Sequence, residues 1–231
     1  MKTIGLIGGM SWESTQTYYR LINETVNAAL GGLHSAKILL ASVDFAEIEA
    51  CQASNAWDRA AALLADAARS LERAGADFLL ICTNTMHKVA PEIANEVAIP
   101  LVHIADVTAG RLHAAYISRV GLLGTKYTMN EDFYTGRLTN AGIEVLVPSA
   151  ADSELVNAVI FNELCHGEVR DDSRRAFLAI INGLKKRGAQ GVILGCTEIG
   201  MLIEQTDVDI PVYDTTILHA QTAAELALSQ R

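Results

Sequence analysis

Gly75-Ala76-Asp77-Phe78-Leu79-Leu80-Ile81-Cys82-Thr83 and Gly188-Ala189-Gln190-Gly191-Val192-Ile193-Leu194-Gly195-Cys196 lie on one another without a gap, every residue of the second 113 positions after its counterpart. Each stretch reads as a glycine that stops a helix, an apolar run of strand length, and then polar residues. The helices before them match in the same register, with Leu71 over Leu184 and Leu64 over Phe177. Ile4-Gly5-Leu6-Ile7-Gly8 matches Val120-Gly121-Leu122-Leu123-Gly124 at the nearly equal spacing of 116. Two similar α/β halves, pseudo-two-fold related and facing each other across a cleft, are the expected architecture. The expected division is a first lobe over 1–104, with 212–231 packing back on it, and a second lobe over 105–211.

Working outward, short apolar runs alternate with amphipathic stretches, the pattern of an α/β fold with parallel-rich sheets flanked by helices. Strands are expected at Ile4–Ile7, Ile38–Val43, Phe78–Cys82, Leu101–Ile104, Val120–Leu123, Ile143–Val147, Gly191–Leu194 and Ile210–Tyr213. Ala60, Leu63, Leu64, Ala67, Ala68 and Leu71 recur at helical spacing, and Gly75 stands where a left-handed C-cap would close that helix. Ser173 is the expected N-cap of a second helix carrying Phe177, Ile180, Ile181 and Leu184 on one face, closed by Gly188.

The 231 residues can bury a substantial core, and half of them are hydrophobic. A net charge of −9 disfavours nucleic-acid binding, which needs clustered Lys and Arg. No apolar run approaches the ~20 residues of a membrane span. Met1-Lys2-Thr3 passes straight into Ile4-Gly5-Leu6-Ile7, too short for a signal peptide, so a cytoplasmic protein is expected. Cys51, Cys82, Cys165 and Cys196 form no CxxC pair and read as free thiols. His34, His103, His113 and His219 have no partners at metal-ligand spacing, and no metal is expected. Gly5, Gly8 and Gly9 do not form GxGxxG; they fit a tight turn that lets a carboxylate approach backbone donors.

Ligands of open α/β sheets gather at the carboxyl ends of strands. There the repeat places Thr83-Asn84-Thr85 in one half and Cys196-Thr197-Glu198 in the other. The register makes Thr83, not Cys82, the counterpart of Cys196. Successive strand residues point to opposite faces, so if Thr83 enters the site, Cys82 packs behind it. Two groups placed symmetrically about one ligand suit a reaction on both faces of a carbon, such as racemisation. A thiol, with an ordinary pKa near 8.5, can serve as base or acid near neutral pH. The carbanion needs oriented donors, for which backbone N–H groups and Ser11, Asn84, Thr85, Thr125, Thr128 and Thr197 are candidates. Glu198 could orient the thiol or a substrate amine, or serve as a first-turn acid of a helix. His87 reads either as a residue tuning the site through Thr85 or as a satisfied histidine at a helix start.

At these residues the chain resembles the aspartate/glutamate racemase family of cofactor-independent enzymes. The likeness is carried by Gly8-Gly9-Met10-Ser11 with Ser14-Thr15, by Thr83-Asn84-Thr85-Met86-His87, by Gly124-Thr125-Lys126-Tyr127-Thr128, and by Gly195-Cys196-Thr197-Glu198. It implies catalytic Cys196 and Thr83, with Met10, Ser11, Asn84, Thr85, Thr125, Thr128, Thr197 and Glu198 binding substrate. It also implies an amino-acid substrate, no cofactor and a homodimer. Two departures stand out. The family's usual Cys-Asn-Thr is here Thr83-Asn84-Thr85, and since an alcohol is a poorer base than a thiolate, a preference for L-substrates is expected. The Arg and Lys with which similar aspartate racemases bind carboxylates are missing from Asp44-Phe45-Ala46-Glu47-Ile48 and Glu163-Leu164-Cys165-His166-Gly167. Unless Lys126, Arg20 or His166 substitutes, specificity should be broader and reach neutral amino acids such as homoserine. The alternatives are a single-cysteine decarboxylase or cis–trans isomerase of the same superfamily, and a non-catalytic amino-acid sensor.

Overall fold

The computed structural model describes residues 1–229. They divide into two compact units, residues 1–104 with 219–229, and residues 105–218.

The first unit holds β1 (Thr3–Gly8), α1 (Trp12–Leu30), β2 (Lys37–Ser42), α2 (Phe45–Ala53), α3 (Trp57–Arg73), β3 (Phe78–Ile81) and α4 (Ala90–Ala94). The second begins one residue into α5 (Ile104–Ala114) and continues through β4 (Arg119–Gly124), α6 (Lys126–Asn130), α7 (Thr135–Asn140), β5 (Glu144–Leu146), α8 (Ala150–Asn162), α9 (Asp171–Lys186), β6 (Val192–Gly195) and β7 (Val212–Asp214). The last helix, α10 (Thr215–Leu228), starts in the second unit and belongs to the first from His219 onward. Because β7 is hydrogen-bonded to β6, residues 212–218 stay with the second unit, and the return falls seven residues later than the expected 212.

All strand pairs are parallel. The strand orders are β2-β1-β3 and β5-β4-β6-β7. An isolated parallel bridge from Leu79 to Leu101 stands where β7 stands in the second sheet. The expected strand at Leu101–Ile104 shrinks to that bridge, since Ile104 already opens α5. The register repeats as well: Gly5 pairs with Leu79, and Gly121 pairs with Val192, the residues that the 116 and 113 spacings predict. Gly75 (φ +98°) and Gly188 (φ +99°) close α3 and α9 in the same left-handed conformation.

The central strands are buried along nearly their whole length because helices cover both faces. In the first sheet, Phe78, Leu80 and Cys82 pack with Ile4, Leu6, Tyr18 of α1 and Ala220, Ala223, Ala224 and Ala227 of α10. Leu79 and Ile81 join Ile7, Leu64, Ala68 and Leu71 on the other face. Burying one such Leu or Ile side chain contributes about 1.5–3 kcal/mol. In α3, Ala60, Leu64, Ala68 and Leu71 are buried, with Leu63 and Ala67 packed at the margin. Ser173 does not cap α9: Arg170 occupies the N-cap, while the Ser173 hydroxyl, one turn in, donates to Glu163 Oε2 at 2.6 Å.

Candidate active site

The side chains singled out by the repeat sit just past the carboxyl ends of β3 and β6. In the first unit the alternation of β3 runs on through Cys82, which is fully buried with Phe78 and Leu80. Burial pushes its thiol well above the ordinary range, so it is an uncharged packing group. Thr83, next in the chain, is half-buried. Asn84 and Thr85 are buried and open the 3-10 turn Thr85–Val89. His87 in that turn donates from Nδ1 to the Thr83 carbonyl at 2.8 Å. The Nδ1 partner of His87 is therefore the Thr83 carbonyl, not the Thr85 side chain.

The loop after β1 reaches the same edge of the sheet. Gly9 has φ +93°, and a Cβ there would lie 2.2 Å from the Val43 carbonyl oxygen, so only glycine fits the turn. Its N–H donates to Thr15 Oγ1 at 2.8 Å. Ser11 caps α1, accepting from the Ser14 N–H at 3.2 Å. Met10 is 3% exposed and belongs to the core cluster of Ile7 and Ile48. Ser14 hydrogen-bonds the Cys82 carbonyl at 3.0 Å and so ties α1 to the end of β3.

In the second unit, Gly124 and Gly195 are paired across β4 and β6, which brings Thr125 and Cys196 out side by side. Thr125 caps α6 through the Thr128 N–H at 3.4 Å, and Thr128 is fully buried against the two glycines. Cys196 is buried, and its Sγ donates to Glu198 Oε2 at 2.9 Å. The Thr197 hydroxyl donates to the same oxygen at 2.7 Å. Burial first, then the Glu198 carboxylate, holds the Cys196 thiol well above its ordinary pKa. The resting group is thus an uncharged thiol hydrogen-bonded to the Glu198 side chain.

Asp214, at the end of β7, escaped the sequence reading. Burial raises its carboxyl, with Glu198 adding to the effect, while Oδ1 accepts from the N–H groups of Thr216 and Ile217 at the start of α10. An acid ending an apolar run just before a helix was the signal available. None of the three named substitute cations stands out: Arg20 pairs with Glu24 at 2.9 Å, Lys126 lies over the Tyr127 ring, and His166 is exposed. Asp44 caps α2. Among the described residues no helix is long and apolar enough to cross a membrane.

Residues 7–223 match the family model for Asp/Glu/Hydantoin racemase. The chain belongs to that family. Among solved structures, a candidate Asp/Glu racemase from Yersinia pestis is 54% identical, with TM-score 0.94 over 99% of this chain and 100% of that one. An aspartate racemase homologue from Pyrococcus horikoshii OT3 is 36% identical, with TM-score 0.88 over 99% and 100%. The broad specificity amino-acid racemase RacX of Bacillus subtilis is 25% identical over 71% of this chain and 70% of its own length. Both sheets, their parallel strands and their flanking helices are those of the Asp/Glu racemase family.

Proposed function

We propose that this protein is an amino-acid racemase that needs no cofactor and inverts the α-carbon by proton transfer between side chains. Cys196 acts on one face of that carbon and Thr83 on the other, with L-amino acids the preferred substrates. The observation that carries this reading is the Cys196–Glu198 hydrogen bond at the very position that the repeat equates with Thr83. Glu198 takes the thiol proton as the thiolate removes the α-proton, so the negative charge passes from the carboxylate to the substrate carbanion, which the surrounding hydrogen-bond donors stabilise. Thr83 delivers or positions the proton that returns on the opposite face. Asn84, Thr85, Thr125, Thr128, Thr197 and Ser11 are the substrate-binding groups, and Met10 lines the turn that carries Ser11. With no free cation at the two family positions, neutral side chains are accepted.

The test is a panel of L- and D-amino acids incubated with the protein in deuterium oxide. Inversion with α-deuteration, lost in Cys196→Ala, is the expected result. Release of carbon dioxide would make it a decarboxylase. Specific binding without exchange would make it a sensor.

A further inference from the structure

The two peptide groups that flank the Thr83 α-carbon are both pinned from inside the first unit. The Cys82 carbonyl accepts from Ser14 Oγ at 3.0 Å, and the Thr83 carbonyl from His87 Nδ1 at 2.8 Å. Peptide units are planar, so holding the carbonyl on each side of one α-carbon fixes its φ and ψ and hence the direction of its Cα–Cβ bond. Only the rotation of the Thr83 hydroxyl about χ1 is left.

His87 is built for this task. Its Nε2 accepts from the Ile104 N–H at 3.3 Å, which leaves the ring proton on Nδ1, facing Thr83. The ring is fully buried, with the His103 ring 4.6 Å away and the His219 ring 5.7 Å away. His219 is fixed in turn, by the Tyr18 hydroxyl at 2.8 Å and the Val102 carbonyl at 2.9 Å. Burial and the neighbouring imidazoles hold His87 well below the ordinary histidine range, so it stays neutral and keeps one tautomer.

The second unit differs at the position equivalent to His87. The residue 113 positions after His87 is Gly200, which has no side chain to reach the Cys196 carbonyl; a Cβ there would lie 2.5 Å from Asp214 Oδ2. The Cys196 carbonyl accepts from the Ile199 N–H instead. A polarisable thiol beside its own carboxylate tolerates looser aim than an alcohol, whose proton transfer is harder.

We propose that His87 is a positioning residue, whose Nδ1–H on the Thr83 carbonyl aims the Thr83 hydroxyl and so governs the inversion step but not proton abstraction by Cys196. This rests on reading Thr83 and Cys196 as the two-sided pair. With an L-substrate in deuterium oxide, two products are counted: deuterated L-amino acid, returned from the Cys196 face, and D-amino acid, formed through the Thr83 side. In His87→Leu the ratio of inversion to exchange should fall about tenfold or more, since misplacement by an ångström costs up to about 10²-fold. Exchange on the Cys196 face should stay within about twofold. His87→Asn, whose side-chain N–H can stand in for Nδ1–H, should restore the ratio. An unchanged ratio in His87→Leu, or exchange and inversion falling together in both variants, overturns the proposal. If His87→Leu does not fold, Ser14→Ala removes the opposing anchor and carries the same expectation and the same refutation. A wild-type protein that exchanges no α-proton at all would instead sink the racemase reading itself.

Discussion

Gly195→Ala is the sharpest probe of how the fold presents Cys196. A methyl group at Gly195 would lie 2.9 Å from Leu122 Cδ1, 2.9 Å from the Leu123 carbonyl oxygen and 3.2 Å from Thr128 Cγ2. Leu122 could rotate away. The Leu123 oxygen cannot, because β4 is held to β6 in the centre of the sheet. Relief must come from moving the end of β6, and with it Cys196. Overpacking of this kind costs about 1–3 kcal/mol, and for a chain of this size each kcal/mol is worth roughly 2–4 °C, so Tm should drop by about 2–12 °C. A shift of about an ångström at Cys196 should lower kcat about 10²-fold. The control is Gly110→Ala in the middle of α5, where a new methyl meets nothing within 4 Å. That exchange should stabilise by about 0.5–1 kcal/mol with kcat unchanged. Thermal melts by circular dichroism and a chiral assay of both variants suffice. A Gly195→Ala protein with wild-type Tm and wild-type kcat would refute the close approach of the two strand ends.

Three further outcomes are expected. Glu198→Gln removes the carboxylate that pushes the Cys196 thiol up, so iodoacetamide should label Cys196 faster at a given pH, while loss of the proton acceptor lowers racemisation about 10²–10⁴-fold; slower labelling would contradict the assigned electrostatics. Thr83→Cys should raise activity on D-amino acids, measured as the ratio of initial rates in the two directions, and an unaltered ratio would remove Thr83 from the mechanism. Acid should destabilise the fold through His219, whose pKa burial lowers to about 3. The unfolded chain binds that proton near pH 6.5 and the folded one does not, so stability is intact above about 6.5 and lost as pH falls toward 3, at about 1.4 kcal/mol per pH unit. His87, also lowered, adds to the same slope; urea titrations of His219→Gln should show a shallower one.

By itself, the sequence determined the two-fold repetition, the places of most strands and which residues of the two halves correspond. Those follow from local rules: apolar runs of strand length, glycines that readily close a helix in the left-handed conformation, and a shared spacing that equates residues of the two halves. The alternation of side chains along a strand was enough to send Cys82 into the core and leave Thr83 at the sheet edge. Where the sequence reading missed, the cause was a contact that no spacing rule predicts. Ser173 looks like a cap until Glu163 is seen to take its hydroxyl. The segment 212–218 looks like part of the return to the first lobe until β7 pairs with β6. Only tertiary structure put Ser14 and His87 on the two carbonyls around Thr83, because a hydrogen bond across 68 residues, as from Ser14 to Cys82, leaves no periodicity to read. The Cys196–Glu198 bond spans two residues, yet it too needed coordinates: whether a carboxylate turns toward a thiol or toward solvent depends on what buries them both.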